Sequence, residues 1–582
     1  MKKPIDFKVE LTKERLAAEI SDYWSQWDSA RKPWKEQKKE IRNYIFATDT
    51  RTTTNSKLPW KNSTTLPKLC QLRDNLHANY IAALLSSEDW LMWQAGDEEA
   101  ATKEKANAAE DYMFTKLELQ KFGVMLSKLV LDYIDYGNVF AGIYYEVEYV
   151  KDEQTGENIP GYIGPKIYRI SPFDIVFDPS VQSFSDSPKV VRSLVNLGQL
   201  KKMSMNMDYD TEKITRELDL RNNIREYGSE DVGKNEGYSM DGFGSLYQYY
   251  RSPYVELLEF RGDIYDSRTQ EIQQNRLITV MDRRVVIRNV QNPNPSGEDI
   301  FHAGWRERPD NLWAMGPLDN LVGMQYRIDH IENAKADAVD QYIHPPKKIK
   351  GYVEDFDDVP DERIICGEDG DVEFMRPPLD QILQYDAEIN NYQNLMEEMA
   401  GAPKQAMGIR TPGEKTAYEV QTLESAAGRI FQNKVNHFEE TFLEPMLNGM
   451  LALARTRLEG SDLIRSLDDD FGVASFLTIT KEDLSASGKL RARGARHFAA
   501  QNKLVQELTN LSNSAIGQDP AVNVHLSGKK IAQLIEELLG LEKYGIFAEN
   551  IRVLEQSETQ KLVNSAQQQI DVEDQTPTEE PV

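Results

Sequence analysis

GPLDNLVGMQYRIDHIENAKADAVDQYIHPP at 316–346 and PPLDQILQYDAEINNYQNLMEEMAGAP at 377–403 decide how this chain is read. The first stretch places Leu318, Leu321, Val322, Ile328, Ile331, Ala338 and Tyr342 at three-and-four spacing. That is one apolar stripe of about 26 residues, or roughly 39 Å of helix, and it stops at Pro345 and Pro346. The second repeats the pattern with Leu379, Ile382, Leu383, Ile389, Tyr392, Leu395, Met396 and Met399, entered after Pro377 and Pro378 and closed by Gly401 and Pro403. Two long helices therefore bracket a short, proline-bounded β insert.

Working outward toward the C-terminus, a glycine- and proline-rich loop leads to Thr416-Ala-Tyr-Glu419. Threonine followed three residues on by glutamate is a capping box, which satisfies two of the unpaired N–H groups at a helix start. Val420, Leu423, Ala427, Ile430, Phe431, Phe438, Phe442, Met446, Leu447, Met450 and Leu453 then follow one side of a third long helix to about Glu459. Pro445 lies inside it, and a proline there removes a hydrogen bond and clashes with the preceding turn, so a kink is predicted near 441–445. Residues 474–480 read as a short strand and 488–565 as helical, with a break at 514–520. The end, 567–582, is acidic with almost nothing apolar, and disorder is predicted.

Toward the N-terminus, helical patterns cover 12–47, interrupted by Pro33, then 72–85, and then about 103–136. Trp90 and Trp93 read as packing residues, since nothing basic alternates with them. Between these helices and the opening stretch the pattern turns to β, at 139–150, 166–170, 254–260 and 276–288. Residues 205–250 are polar and glycine/serine-bearing, which predicts an exposed insertion or mobile arm. The whole is an α+β chain, predominantly α-helical.

At 582 residues the chain exceeds what one core normally holds. Lys+Arg of 68 against Asp+Glu of 95 gives a net charge of −27, which argues against clamping nucleic acid over the whole surface but leaves room for a local basic ring. Cys70 and Cys366 form neither a CxxC pair nor a disulfide framework and read as free thiols. Met1 to Glu10 holds no apolar run and no stretch approaches about 18 apolar residues, so neither a signal peptide nor a membrane span is expected.

Chemistry is sparse. The nearest approach to a P-loop, Ser527-Gly-Lys-Lys530, lacks the upstream glycine and the following Ser/Thr. No HExxH, GxSxG or EF-hand loop occurs, and the seven histidines are scattered singly. Acidic runs such as Glu354-Asp-Phe-Asp-Asp358 read as solvated loops. No cofactor, metal or catalytic residue is expected. The abundance of carboxylates keeps a metal-dependent nuclease or other packaging enzyme as the alternative class, beside another kind of virion structural protein.

An ordered series of motifs over roughly 60–500 resembles the portal proteins, or head-to-tail connectors, of tailed double-stranded DNA bacteriophages, the short-tailed type above all. It runs through Pro59-Trp-Lys-Asn-Ser-Thr-Thr-Leu-Pro67, Ile170-Ser-Pro-Phe-Asp-Ile-Val-Phe-Asp-Pro179, Glu259-Phe-Arg-Gly-Asp263, Gly316-Pro-Leu-Asp-Asn-Leu321 and Lys415-Thr-Ala-Tyr-Glu-Val420.

The resemblance implies a portal fold with wing, stem, clip and helical crown, assembled as a ring. On it, 1–315 would be N-terminal helices and the α+β wing, 316–344 and 379–400 the stem helices, and 345–378 the clip. The tunnel loop would be 401–414, the kinked wing helix and strand 415–487, the crown 488–565 and the acidic tail 566–582. Such a protein forms a homo-dodecamer at one capsid vertex, built in the host cytoplasm among major capsid and scaffold proteins. It passes double-stranded DNA, docks the terminase large subunit and later the adaptor and tail proteins, and carries no ATPase.

Carried onto these positions, Lys404, Gln405, Arg410, Thr411 and Lys415 would face DNA in or beside the tunnel loop, while Lys347, Lys348, Lys350 and Arg363 would meet partners at the clip. Thr416 and Glu419 would cap the long helix that Pro445 kinks. Ordinary solvated loop cations, and a basic strand edge that discourages aggregation, explain the same lysines and arginines as well.

Overall fold

Pro33 sits in the first turn of a helix, where its missing N–H is not needed, so the break in the N-terminal pattern falls two residues before the proline, at Arg31. Helices α1 (Arg15–Ala30) and α2 (Lys32–Phe46) meet at Arg31. The computed structural model describes residues 14–46, 62, 64–85, 90–96, 103–151, 158–178, 180–227, 253–266, 271–294, 297–345, 347–350, 353–354, 365–366, 371–375, 379–400, 430–458, 461–467, 474–485 and 488–492. They fall in two units, one of 1–461 with 480–492, the other of 462–479 with 493–582.

In the first unit, α3 (Lys68–Leu84), β1 (Leu91–Ala95), α4 (Lys103–Leu119) and α5 (Phe122–Tyr136) follow. The helical run over 103–136 divides at Gln120 and Lys121, the latter left-handed with φ 54°. β2 (Asn138–Lys151) and β3 (Asn158–Ile170) form a long hairpin, and β4 (Ile175–Phe177) and β5 (Lys189–Asn196) lead to α6 (Leu197–Met203) and α7 (Thr211–Tyr227). β6 (Tyr254–Asp266), β7 (Glu271–Met281), β8 (Val285–Gln291), β9 (Ile300–Gly304), β10 (Arg306–Arg308) and β11 (Asn311–Met315) complete the β-rich part.

One antiparallel sheet has the order β4-β5-β6-β7-β8 and is covered on both faces. Alternation along a strand sends Leu258 and Phe260 against Ala17, Ile20 and Trp24 of α1, and Val255 and Leu257 against Leu200 and Ile214 of α6 and α7. The start of the polar stretch 205–250 is thus not a free arm: Ile214, Glu217 and Leu220 of α7 are buried. Residues 228–250 lie outside the described ones. A second sheet, β3-β2-β9, shares with Trp34, Ile175, Phe177 and Trp313 a core dense in aromatic rings.

Residues 276–288 read as one strand, yet the structure puts a tight turn within them. Asp282 and Arg283 both take positive φ, 50° and 57°, the mirror-image turn that suits strand twist and that Asn-Gly usually supplies. Arg283 tolerates it while its guanidinium grips both oxygens of the fully buried Glu256, at 2.9 Å each.

The first unit continues with α8 (Val322–Ile343), β12 (Lys347–Lys350), β13 (Val353–Glu354), β14 (Ile365–Cys366), β15 (Asp371–Phe374) and α9 (Leu379–Ala400). Residues 430–438 are helical and pass through a π-helical turn, Glu439–Leu443, into α10 (Glu444–Arg457). The π turn is the local answer to Pro445: the Glu444 N–H bonds back five residues to the Glu439 carbonyl, shifting the register just before the proline. A 3-10 turn at Asp483–Ser485 and β18 (Gly488–Ala492), which pairs with β1, close this unit. The described residues of the second unit belong to two paired strands, β16 (Ser461–Leu467) and β17 (Ala474–Thr480). The described chain is mixed α and β with no closed barrel.

Candidate functional site

The helix–strand–helix excursion is the feature with the most distinctive chemistry. Its root is Gly316-Pro-Leu-Asp-Asn-Leu321. A Cβ on Gly137 would lie 2.3 Å from the Gly316 nitrogen, so the end of α5 and the start of this turn approach as only glycine permits. Asp319 accepts the Gly316 N–H at 2.8 Å and forms a fully buried ion pair with Lys38 of α2. Burial pulls the Lys38 ammonium below the usual lysine range, against the opposing pull of Asp319.

From this root α8 runs out and α9 returns beside it, 22 residues each, or about 33 Å. α9 contains Asp380, Asp386, Glu388, Glu397 and Glu398 and no Lys or Arg. Its exposed side presents Gln384, Asp386, Asn390, Asn391, Asn394 and Glu398, with Leu395 and Met399 exposed toward its C-terminal end. The two cations of α8 are both turned to α9 carboxylates, Lys335 to Asp386 at 2.6 Å and Arg327 to Glu388 at 3.4 Å. The wall is polar and acidic, with its few cations neutralised.

At the far end β12 pairs antiparallel with β15, setting Lys347 opposite Phe374, Lys348 opposite Glu373 and Lys350 opposite Asp371. Lys348 reaches Glu373 at 3.3 Å in an exposed pair, worth well under about 1 kcal/mol. Ile343, Phe374 and Met375 are exposed around these strands. Arg363, the loop residues Lys404, Gln405, Arg410, Thr411 and Lys415, and the capping pair Thr416 and Glu419 lie outside the described residues. Pro445 is placed directly after the π turn, away from the strand end.

Periodicity missed how the hairpin is fastened. Gln325, Asp329 and Asn333 are buried on the packed side of α8 and, with Asp337, stand four residues apart along one face. Each receives a backbone N–H from the segment leading into α3. Asn62 donates to Asp337 Oδ1 at 3.2 Å, Thr64 to Asn333 Oδ1 at 2.7 Å, Leu66 to Asp329 Oδ1 at 2.9 Å and Leu69 to Gln325 Oε1 at 3.2 Å. Four helical residues rise about 6.0 Å and two extended residues about 6.6 Å, so the two repeats stay in step from Asn62 through Thr64 to Leu66, and the last rung, Leu69, comes three residues on in the first turn of α3. The Asn62 side chain adds bonds to Asp337 at 2.8 Å and Asp340 at 3.0 Å, and the Gln325 amide donates to the Leu66 carbonyl and to Asp329. Lys68 then pairs with the buried Glu397 of α9 at 2.6 Å, so one short segment holds both helices of the excursion.

Burial pushes the Asp329 carboxyl up to about 6, against the lowering effect of the Leu66 N–H and the Gln325 amide. Among the described residues, His77 and Ser127 make a catalytic-looking pair, but it fails on proton placement. His77 Nε2 lies 2.9 Å from Ser127 Oγ but also 3.2 Å from the Ser127 carbonyl, which can only accept. The network therefore gives Nε2 the hydrogen, and it cannot take the serine proton. Burial, then Asp74, raises the Cys70 thiol, the opposite of what a reactive thiolate needs. No group of three or more His, Cys, Asp or Glu arranged to hold a metal ion occurs among the described residues. Nor is any helix among them long and apolar enough to cross a membrane.

Fold and site together define an α+β protein whose distinguishing part is an acidic helical hairpin tipped by short strands. No family model matches the chain, and no curated protein matches it either.

Proposed function

We propose that this chain is the subunit of a ring-shaped DNA conduit, a phage portal in which α8 and α9 form the channel wall. The observation that carries the reading is the hairpin whose returning helix has no Lys or Arg and whose outgoing helix has both cations neutralised. DNA must slide through a portal, and each Lys or Arg that neutralises a phosphate strengthens binding and slows movement. A wall of Asn, Gln and Asp avoids that grip. At the strand end, Lys348 and Lys350 with the exposed Ile343, Phe374 and Met375 offer the mixed basic and apolar surface that the terminase large subunit, and later the adaptor and tail proteins, would dock on. Twelve copies at a capsid vertex, contacting capsid and scaffold proteins, complete the proposal, with the virion as its location. On this reading the chain conducts DNA and leaves ATP hydrolysis to the motor.

Negative-stain imaging and mass photometry of the purified full chain test it. Rings of about a dozen copies with a central channel are the expected result. Monomers under every assembly condition, or rings that fail to bind terminase in pull-down, would overturn it.

A further inference from the structure

Residues 62 and 64–69 lie on α8 as a strap, held by backbone N–H groups that meet side chains of α8, with the Asn62 side chain and Lys68 adding to the grip. We infer that this strap is a detachable clasp on the helical hairpin, closed most tightly when Asp329 carries a proton and loosened when Asp329 ionises. The inference stands on the rail geometry and does not depend on the channel reading.

Asp329 is an inner rung of the rail and 8% exposed. It faces the Leu66 N–H and the Gln325 amide, and no ion pair among the described residues includes it. Titratable groups on the elements packed here include Glu40 and Tyr44 of α2, Tyr326, His330 and the strap-binding Asp337 and Asp340 of α8, and Lys68 of α3, which is taken by Glu397 of α9. Burial first, then Glu40 and Asp329, raises the Tyr44 hydroxyl, so that phenol stays neutral beside the rail. A carboxylate dried without a cation prefers its neutral form, and a protonated Asp329 still offers an acceptor oxygen to Leu66.

The sign follows from comparing the two states. Released, Asp329 meets water and titrates near an ordinary carboxylate, about 3.9; clasped, it titrates at about 6. The clasped state binds the proton more tightly, so acid favours closure and a rise in pH through about 6 loosens it. Opening frees the buried acceptor row on α8 and loosens the tether between α3 and the hairpin. In a conduit built from this hairpin, the clasp would set how firmly the wall is held to the body of the subunit.

Amide hydrogen exchange on the full chain, corrected for intrinsic rates, decides the matter. In peptides spanning 62–69, protection should fall about tenfold between pH about 5 and pH about 7.5. Asp329→Asn, which keeps an acceptor at the rung, should hold protection level across that range. Asn62→Ala should lower protection at both pH values and leave the pH dependence in place. Equal protection of the wild-type segment at both pH values would overturn the clasp, and so would an Asp329→Asn chain that keeps the tenfold change. Should Asp329→Asn fail to fold, the wild-type series and Asn62→Ala still give the answer.

Discussion

Replacing Lys38 with methionine should destabilise the first unit by about 3 kcal/mol, near the lower end of the range for breaking a buried ion pair. Lys38 and Asp319 have 0% and 1% side-chain exposure, so neither charge is shared with water. Methionine keeps the volume of the aliphatic stem and removes only the ammonium, leaving the carboxylate dry and uncompensated. The penalty stays at the low end because Asp319 retains the Gly316 N–H at 2.8 Å. Combining Lys38→Met with Asp319→Asn removes both charges while an amide oxygen can still accept from Gly316. The double variant should return to within about 1–2 kcal/mol of wild type, the remainder being one unsatisfied amide donor. The coupling energy is then roughly 2 kcal/mol or more. Urea denaturation followed by tryptophan fluorescence can read it, since all eight tryptophans belong to the first unit and Trp34 lies 6.0 Å from the Lys38 ammonium. A Lys38→Met midpoint within about 0.5 kcal/mol of wild type, or strictly additive single effects, would refute the reasoning.

His302 gives a pH prediction of defined sign. It is enclosed by Phe140, Phe177 and Phe184, donates from Nε2 to Asn138 Oδ1 at 3.1 Å, and burial pulls it down to about 4. Below about 6.5 the unfolded chain takes up the proton first, so stability drains away as pH falls from there toward 4, by roughly 3 kcal/mol. His302→Phe, which suits the aromatic box, should flatten that acid limb in thermal melts; an unchanged slope would count against it. Asp329 works the other way: its contribution is present below about 3.9 and lost as pH rises through about 6. Arg283→Gly relieves a left-handed arginine worth about 1–2 kcal/mol but strips the guanidinium from the dry Glu256, so a net loss of about 2 kcal/mol is expected by urea titration. A stabilised variant would show that turn strain outweighs the fork. Deleting 402–412 should leave rings intact by negative stain while impairing DNA packaging, and loss of the rings would make that loop structural.

How far the sequence could be read depended on whether a residue's partner was local. The helices of the excursion were legible because their punctuation is local: Pro345 and Pro346 end one, and Pro377 and Pro378 precede the other. Leu318, Leu321, Ile328 and Ile331 of the apolar stripe are indeed buried. The 276–288 stretch was not legible in the same way, since Asp282-Arg283 lacks the glycine that usually marks such a turn and is held open by Glu256, 26 residues earlier in the chain. Ser171-Pro-Phe-Asp-Ile175, which follows the strand read at 166–170, is likewise shaped by a distant partner. Only Ile175–Phe177 is strand, while the carbonyls of Pro172, Phe173 and Ile175 converge at 2.6 Å on the guanidinium of Arg31, a residue with no local signal.

The rail on α8 shows why such partners escape a periodic reading. Gln325, Asp329, Asn333 and Asp337 are polar, so a search for apolar stripes counts them as a solvated face. What meets them is a second periodicity elsewhere in the chain: Asn62, Thr64 and Leu66 offer an N–H every second residue to Asp337, Asn333 and Asp329, two residues there matching four of the helix, and Leu69 in the first turn of α3 takes Gln325. Neither pattern alone specifies the contact. The pairing predicts its own tolerance, too. Asn, Asp and Gln should interchange at these rungs with modest effect, because each can present an acceptor oxygen, whereas leucine, which an amphipathic-helix argument would favour at a buried position, would orphan a dry backbone N–H at a penalty of about 1–3 kcal/mol per rung.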